Sequence, residues 1–173
     1  MIARYRTSLV IARLAQQAVA ISKHRETFYI TDKAESMEHL FQIQMDSQQV
    51  KAISNLGLAH IGDGVFELLC RSWLCCRGNK TVLKLHRDTV ELVRAPAQAK
   101  FAQALLPRLT EEEMDFFRRG KNTHTNGHPK AATAKEYAMA TGLEALFGAL
   151  YLMGRTDRLN ELYLAVMEEL YGL

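Results

Sequence analysis

LAHIGDGVFELLCR, residues 58–71, decides how the chain is read. Apolar side chains recur at Leu58, Ile61, Val65, Leu68 and Leu69, the spacing of a helical face. Inside that pattern sit Gly62, Asp63 and Gly64. Each glycine costs a helix interior roughly 1 kcal/mol relative to alanine. An acid ringed by apolar neighbours is expensive unless it is paired, hydrogen-bonded or metal-bound. The triplet therefore predicts a helix, running to Gly78 as its C′ glycine, whose glycines admit a close neighbour and whose aspartate is kept for chemistry.

The neighbour is legible in TGLEALFGALYL, residues 141–152. Glu144 is flanked by Leu143, Ala145, Leu146 and Phe147, with Gly148 one turn on, so this helix is apolar nearly all round and belongs in a core. The small residues Gly62, Gly64, Ala145 and Gly148 predict two helices in close contact, with one buried acid from each meeting at the crossing. Magnesium commonly takes one or two protein carboxylates and completes its shell with water and phosphate oxygens, an arrangement suited to phosphodiester hydrolysis. The competing reading for either acid alone is a buried carboxylate held by a basic or backbone donor. Glu67, one turn after Asp63, can join the site or form a plain i,i+4 ion pair with Arg71, which is the simpler role.

The remaining text is helical. Asp46 and Gln49 form a capping box opening a helix near 47–56, and Thr110 and Glu113 form a second, with Leu109 and Met114 as a hydrophobic staple. Helices are predicted over 84–106, from Thr110 to a stop at Gly120, over 135–153 with a stop at Gly154, and from a Thr156 cap to the terminus. No β alternation of useful length or internal repeat interrupts this, so the fold class is all-α. Between Asp115 and Glu136 there is no acid, while Arg118, Arg119, Lys121, Lys130 and Lys135 lie in that window with Asn122 and two histidines. A basic stretch is often only a solvated face, but this one leads into the Glu144 helix and fits phosphate-backbone binding.

Composition sets the outer limits. The chain has 173 residues, 48% of them hydrophobic and 24% charged, which suits one globular domain with a proper core. Its net charge of +3 resides wholly in residues 1–36, so nucleic-acid binding cannot be argued from overall charge. That segment begins with 25 acid-free, loosely amphipathic residues. Arg13, Gln16 and Gln17 break the apolar run and exclude a membrane span. It reads as an extension ahead of the domain at 37–173: a start site placed too far upstream, with Met37 or Met45 the true beginning, or an organellar targeting segment on an otherwise cytoplasmic protein. TFYIT (27–31) has strand-like composition without a partner. Cys70, Cys75 and Cys76 match no zinc spacing and suggest a reducing compartment, with the thiols as small core hydrophobes.

At this point the sequence resembles Mini-ribonuclease III, the short branch of the ribonuclease III endonucleases without a double-stranded-RNA-binding domain. The resemblance spans about residues 46–171 and rests on LAHIGDGVFELLCR (58–71), LHRDTVELVRAPAQA (85–99), LTEEEMDFFRRGKN (109–122), Pro129-Lys130 and YAMATGLEALFGALYLMG (137–154). It implies a ribonuclease III-like helical domain forming a two-fold homodimer that cuts double-stranded RNA with magnesium, or manganese in its place. It further implies products with 5′-phosphates and a role in maturing the large-subunit ribosomal RNA precursor. Asp63 matches the aspartate of the LGDA-type signature and Glu144 the glutamate of the FEALIG-type motif. Both are therefore the expected catalytic and metal-binding residues. Arg118, Arg119, Lys121, Asn122 and Lys130 are the expected RNA contacts. Glu67, Thr141 and His86 are candidates to support the site from around it. Full-length ribonuclease III carries two further carboxylates where this chain has Ala59 and Thr141, so the number of metals is open. The 19 residues after Gly154 are too few for an RNA-binding domain. Two alternatives stand beside the endonuclease: a catalytically silent RNA-binding relative, and a helical interaction module without RNA.

Overall fold

The computed structural model describes residues 40–123 and 132–172. The 1–36 extension, the TFYIT segment, Lys130 and most of the polar loop lie outside the described residues. Among these, seven α-helices follow one another: α1 (Ser47–Ala52), α2 (Asn55–Cys76), α3 (Val82–Val93), α4 (Ala95–Leu105), α5 (Glu111–Lys121), α6 (Ala134–Leu152) and α7 (Thr156–Tyr171). Short 3₁₀ turns occupy Leu40–Gln42 and Leu106–Arg108, and no strand is present among the described residues. The chain is all-α, as its patterning predicts.

Helix α6 is the axis of the fold and packs against α2, α4 and α5. From Met139 to Leu152 every residue is buried except Glu144 and Tyr151. Two pairs of glycines let its neighbours come close. A Cβ at Gly62 of α2 would overlap the Glu144 carbonyl oxygen and stand 2.7 Å from the Gly148 nitrogen. A Cβ at Gly148 would overlap the Leu58 carbonyl and stand 3.0 Å from the Gly62 nitrogen. The α2–α6 crossing is thus backbone against backbone. On another side of α6, a Cβ at Gly120 of α5 would overlap the Ala145 methyl and lie 2.8 Å from the Thr141 carbonyl, and one at Gly142 would lie 2.9 Å from Phe117. Phe66, Phe101, Phe147 and Tyr163, from four helices, close the core above the crossing with edge-on contacts such as Phe66–Phe101 at 5.1 Å between centroids.

Several boundaries differ from expectation, each for a physical reason. Gly64 packs on nothing among the described residues, so only Gly62 of the pair makes the crossing. Gly120 does not stop α5; it lies inside the helix, where its missing side chain admits α6. Gly78 and Gly154, with φ of +114° and +69°, are true helix-ending glycines. The helix expected over 84–106 is two, broken at extended Arg94, because Pro96 would lose its hydrogen bond and clash with the preceding turn in a continuous helix. The first helix ends at Ala52, since Ser54 caps α2 by accepting from the Gly57 amide at 3.0 Å. Thr156 is the first helical residue of α7, with Arg155 at the cap position and no side-chain cap. Both expected capping boxes are present, and Thr133 with Glu136 adds a third at the start of α6. Cys70 is a core residue, while Cys75 and Cys76 are exposed.

Because no small adjustment relieves a methyl driven into a carbonyl, Gly148→Ala should cost about 3 kcal/mol or more. Gly64→Ala, in open space and with better helix propensity, should equal or exceed wild-type stability. Denaturant midpoints of the two variants check both expectations.

Candidate active site

The α2–α6 crossing carries one acid on each helix. Gly62 rests against the main chain of Glu144, and Asp63 is the next residue of α2. The sequence predicts two buried acids. The structure instead makes Asp63 exposed and Glu144 partly buried, so the pair opens to solvent from the edge of the crossing. Glu144 feels the opposite helix, whereas the charges acting on Asp63 lie on its own. Burial, then the Asp63 charge, pushes the Glu144 carboxyl up to about 7. Burial and then Glu67 raise Asp63, while His60, one turn earlier on α2, pulls it down. Glu67 is itself held by Arg71, whose Nε donates to Oε1 at 2.8 Å, so the simpler i,i+4 role holds although its charge still reaches Asp63.

The contrast with Glu113 shows what a structural acid looks like here. It is 2% exposed, accepts from Arg158 Nε at 2.9 Å and Nη2 at 3.0 Å, and accepts from the Thr110 amide at 2.8 Å. Its carboxyl is held below the ordinary value despite burial. Among the described residues neither Asp63 nor Glu144 forms an ion pair. No group of three or more His, Cys, Asp or Glu side chains is gathered to hold a metal there either. The donor set is two hard carboxylates that repel one another. It fits a magnesium- or manganese-type cation that keeps most of its shell for water and substrate oxygens. The soft donors zinc prefers are absent from this pair.

The supporting candidates separate. Thr141 is buried, and its hydroxyl donates to the Tyr137 carbonyl at 3.0 Å, which commits it to its own helix. His86 lies on the exposed side of α3, and the histidine acting on Asp63 is His60. Ala59 is buried, with no charge to offer. Gln98 of α4 was not singled out from the sequence. It is fully buried beside Glu144 and favours that carboxyl's charged form, without the alignment of a formed hydrogen bond.

Of the basic residues, Arg118 and Lys121 are exposed in the last turn of α5, and Asn122 caps that helix. Arg119 is partly buried: it donates to the Lys51 carbonyl at 3.0 Å and lies 5.8 Å from the Phe116 ring centroid, so it ties α1 to α5. Because Gly120 abuts Thr141 and Ala145, the basic turn stands level with Glu144 along α6. Lys130 lies outside the described residues.

A pH dependence follows from Glu144. Its folded value of about 7 exceeds its ordinary 4.5, so the folded chain binds more protons than the unfolded one between those values. Stability of the metal-free protein should therefore fall as pH rises through that window, by on the order of 2 kcal/mol, and then level off. Glu144→Gln should remove the slope. Urea midpoints taken across this range with chelator present check it.

The Ribonuclease III domain family model matches residues 56–155. A Mini-ribonuclease 3 of Symbiobacterium thermophilum is 45% identical over 113 residues, 65% of this chain and 87% of that one. A Mini-ribonuclease 3 of a Thermoanaerobacter species is 41% identical over 128 residues, covering 72% and 90%. A crystal structure of a Fusobacterium nucleatum protein superposes with a TM-score of 0.63 at 29% identity, over 70% of this chain and 93% of that one. Matched region and helical order agree: the chain belongs to the ribonuclease III family, with the Mini-ribonuclease 3 proteins, and is an endoribonuclease.

Proposed function

We propose that the chain is a magnesium-dependent endonuclease for double-stranded RNA, with Asp63 and Glu144 as the residues that hold the cation. The observation that carries this reading is the pair itself: two carboxylates set against each other by a glycine crossing, without a basic side chain between them. When bound, the cation supplies an activated water and neutralises charge developing on the phosphodiester. Asp63 presents its carboxylate from the solvent side, where an RNA backbone can arrive. Glu144 presents its own from α6, which cannot shift without disturbing the core. Arg118, Lys121 and Asn122 are proposed to hold phosphates and 2′-hydroxyls, the groups A-form RNA offers in its accessible groove. Arg119 contributes by fixing the turn, and Lys130 is the proposed contact from the loop.

A duplex break needs two hydrolyses, and one helical domain offers one acid pair. We assign the second to a two-fold copy. Ile61, Gly64 and Leu68 form one stripe on α2, and Leu68 is 54% exposed. Val82 and Leu83 at the start of α3 are 82% and 78% exposed. Apolar surface of this kind and an unpacked helical glycine suit a face that meets another copy. The domain proper is taken as 37–173, with 1–36 as an extension. Among the described residues no helix is long and apolar enough to cross a membrane, and the proposed setting is cytoplasmic. The proposed substrate is the large-subunit ribosomal RNA precursor, cut to leave 5′-phosphates. The buried Ala59 and the committed Thr141 hydroxyl leave only two acids, which is the specific feature a silent RNA-binding relative would share.

Asp63→Asn should slow single-turnover cleavage of a long duplex roughly 10³-fold or more, equivalent to about 4 kcal/mol of transition-state stabilisation, with duplex binding retained. Wild-type protein that binds the duplex but never cuts it would establish the silent reading. Arg118→Ala and Lys121→Ala should each weaken binding regardless of sequence and reduce the salt slope by about one contact. Binding isotherms at several salt concentrations check this.

A further inference from the structure

Four polar or charged residues are buried in the described structure: Thr89, Gln98, Glu113 and Thr141. Three are satisfied. Thr89 donates to the Leu85 carbonyl at 2.8 Å, Thr141 to that of Tyr137, and Glu113 is clasped by Arg158. Gln98 is the exception: it is 1% exposed, and neither its amide nitrogen nor its amide oxygen has a hydrogen-bond partner among the described residues. A buried amide left unpaired is a net cost, and a leucine or methionine of similar size would avoid it. The core tolerates a group that contributes nothing to it.

Its place in the fold suggests what the group is for. The break at Arg94 starts α4 afresh, so that Gln98 stands in its first turn, where its backbone amide donates to the Arg94 carbonyl at 3.0 Å. From there α4 packs on α6, the helix that carries Glu144. Glu144 is the one acid of the buried stretch of α6, and among the described residues no basic group pairs with it. An amide nitrogen can donate to one carboxylate oxygen and leave the other for a cation. It does this without the competing charge an arginine or lysine would bring.

We propose that Gln98 is a positioning residue: with a divalent cation bound, its buried and otherwise unpartnered side-chain amide donates to the Glu144 carboxylate and sets the orientation in which that carboxylate holds the cation. The proposal rests on the reading of Asp63 and Glu144 as the cation's holders. Partners of ligating groups fix their rotamers, and losing one typically lowers metal affinity 10- to 100-fold.

The test is calorimetric titration of magnesium and manganese into the RNA-free full chain, for wild type, Asp63→Asn, Gln98→Met and Gln98→Leu. We expect both Gln98 variants to match or exceed wild-type stability without metal, because a costly amide is gone, and to bind metal at least about tenfold more weakly. The magnesium midpoint for cleavage should rise by the same factor, with the rate at saturating magnesium largely kept. A core-filling role would move stability and leave metal affinity alone, and that result overturns the proposal. Wild type binding metal while Asp63→Asn does not, with the Gln98 variants unchanged, rejects the Gln98 role and leaves the site intact. Failure of wild type itself to bind rejects the site. A second measurement needs no variant: in ¹H–¹⁵N spectra the Gln98 side-chain amide should shift in step with added magnesium. An unmoved resonance at saturation overturns the proposal even if neither variant folds.

Discussion

Everything in this domain depends on two helices touching through their main chains. Gly62 and Gly148 remove the side chains that would hold α2 and α6 apart, and each glycine lies against a carbonyl of the opposite helix. Such contact has almost no slack, since packed interiors accommodate added volume poorly. It fixes the rotation of each helix about its axis as well as their separation. Asp63, next to Gly62, and Glu144, whose carbonyl Gly62 meets, are therefore placed by the backbone rather than by their own side-chain partners.

That arrangement explains why the acids are left unneutralised. Elsewhere the chain treats charge conventionally: Glu113 enters the core only with Arg158 on both its oxygens, and Glu67 leans on Arg71. At the crossing, close helix contact brings Glu144 within reach of the Asp63 charge, and burial first, then that charge, drives its carboxyl up to about 7. An unneutralised pair in an otherwise orderly molecule is what the proposed cation site requires, since perturbed groups cluster at functional sites. The proposed divalent cation would resolve the repulsion, and a ligand that binds only the folded state would stabilise it by mass action.

Much of this was legible in the sequence, and the failures are instructive. Helical periodicity, capping boxes and the apolar text around Glu144 describe local physics, and they gave the all-α class and the acid pair. Glycines were harder. The sequence shows that Gly62, Gly64 and Gly120 are small, but not whether each stops a helix, admits a neighbour or faces outward; that depends on which helices cross. Pro96 did announce the break at Arg94, yet the apolar pattern on both sides obscured it. Arg119 reads like its neighbour Arg118, and only the tertiary fold turns it toward Lys51. Gln98 could not be found locally at all, because an unpaired amide is a property of its surroundings. The family resemblance supplied the endoribonuclease, and the comparisons agree with it.

The proposed cation site arises because the crossing brings two carboxylates together. Its most direct test is the proton count on magnesium binding, obtained by calorimetry in buffers of differing ionisation enthalpy near pH 7, where Glu144 titrates. Binding should release a fraction of a proton from wild type, as the cation ionises Glu144, and should vanish in the Asp63→Asn, Glu144→Gln double variant. Magnesium binding that releases no proton and persists in the double variant would place the cation elsewhere and contradict the account.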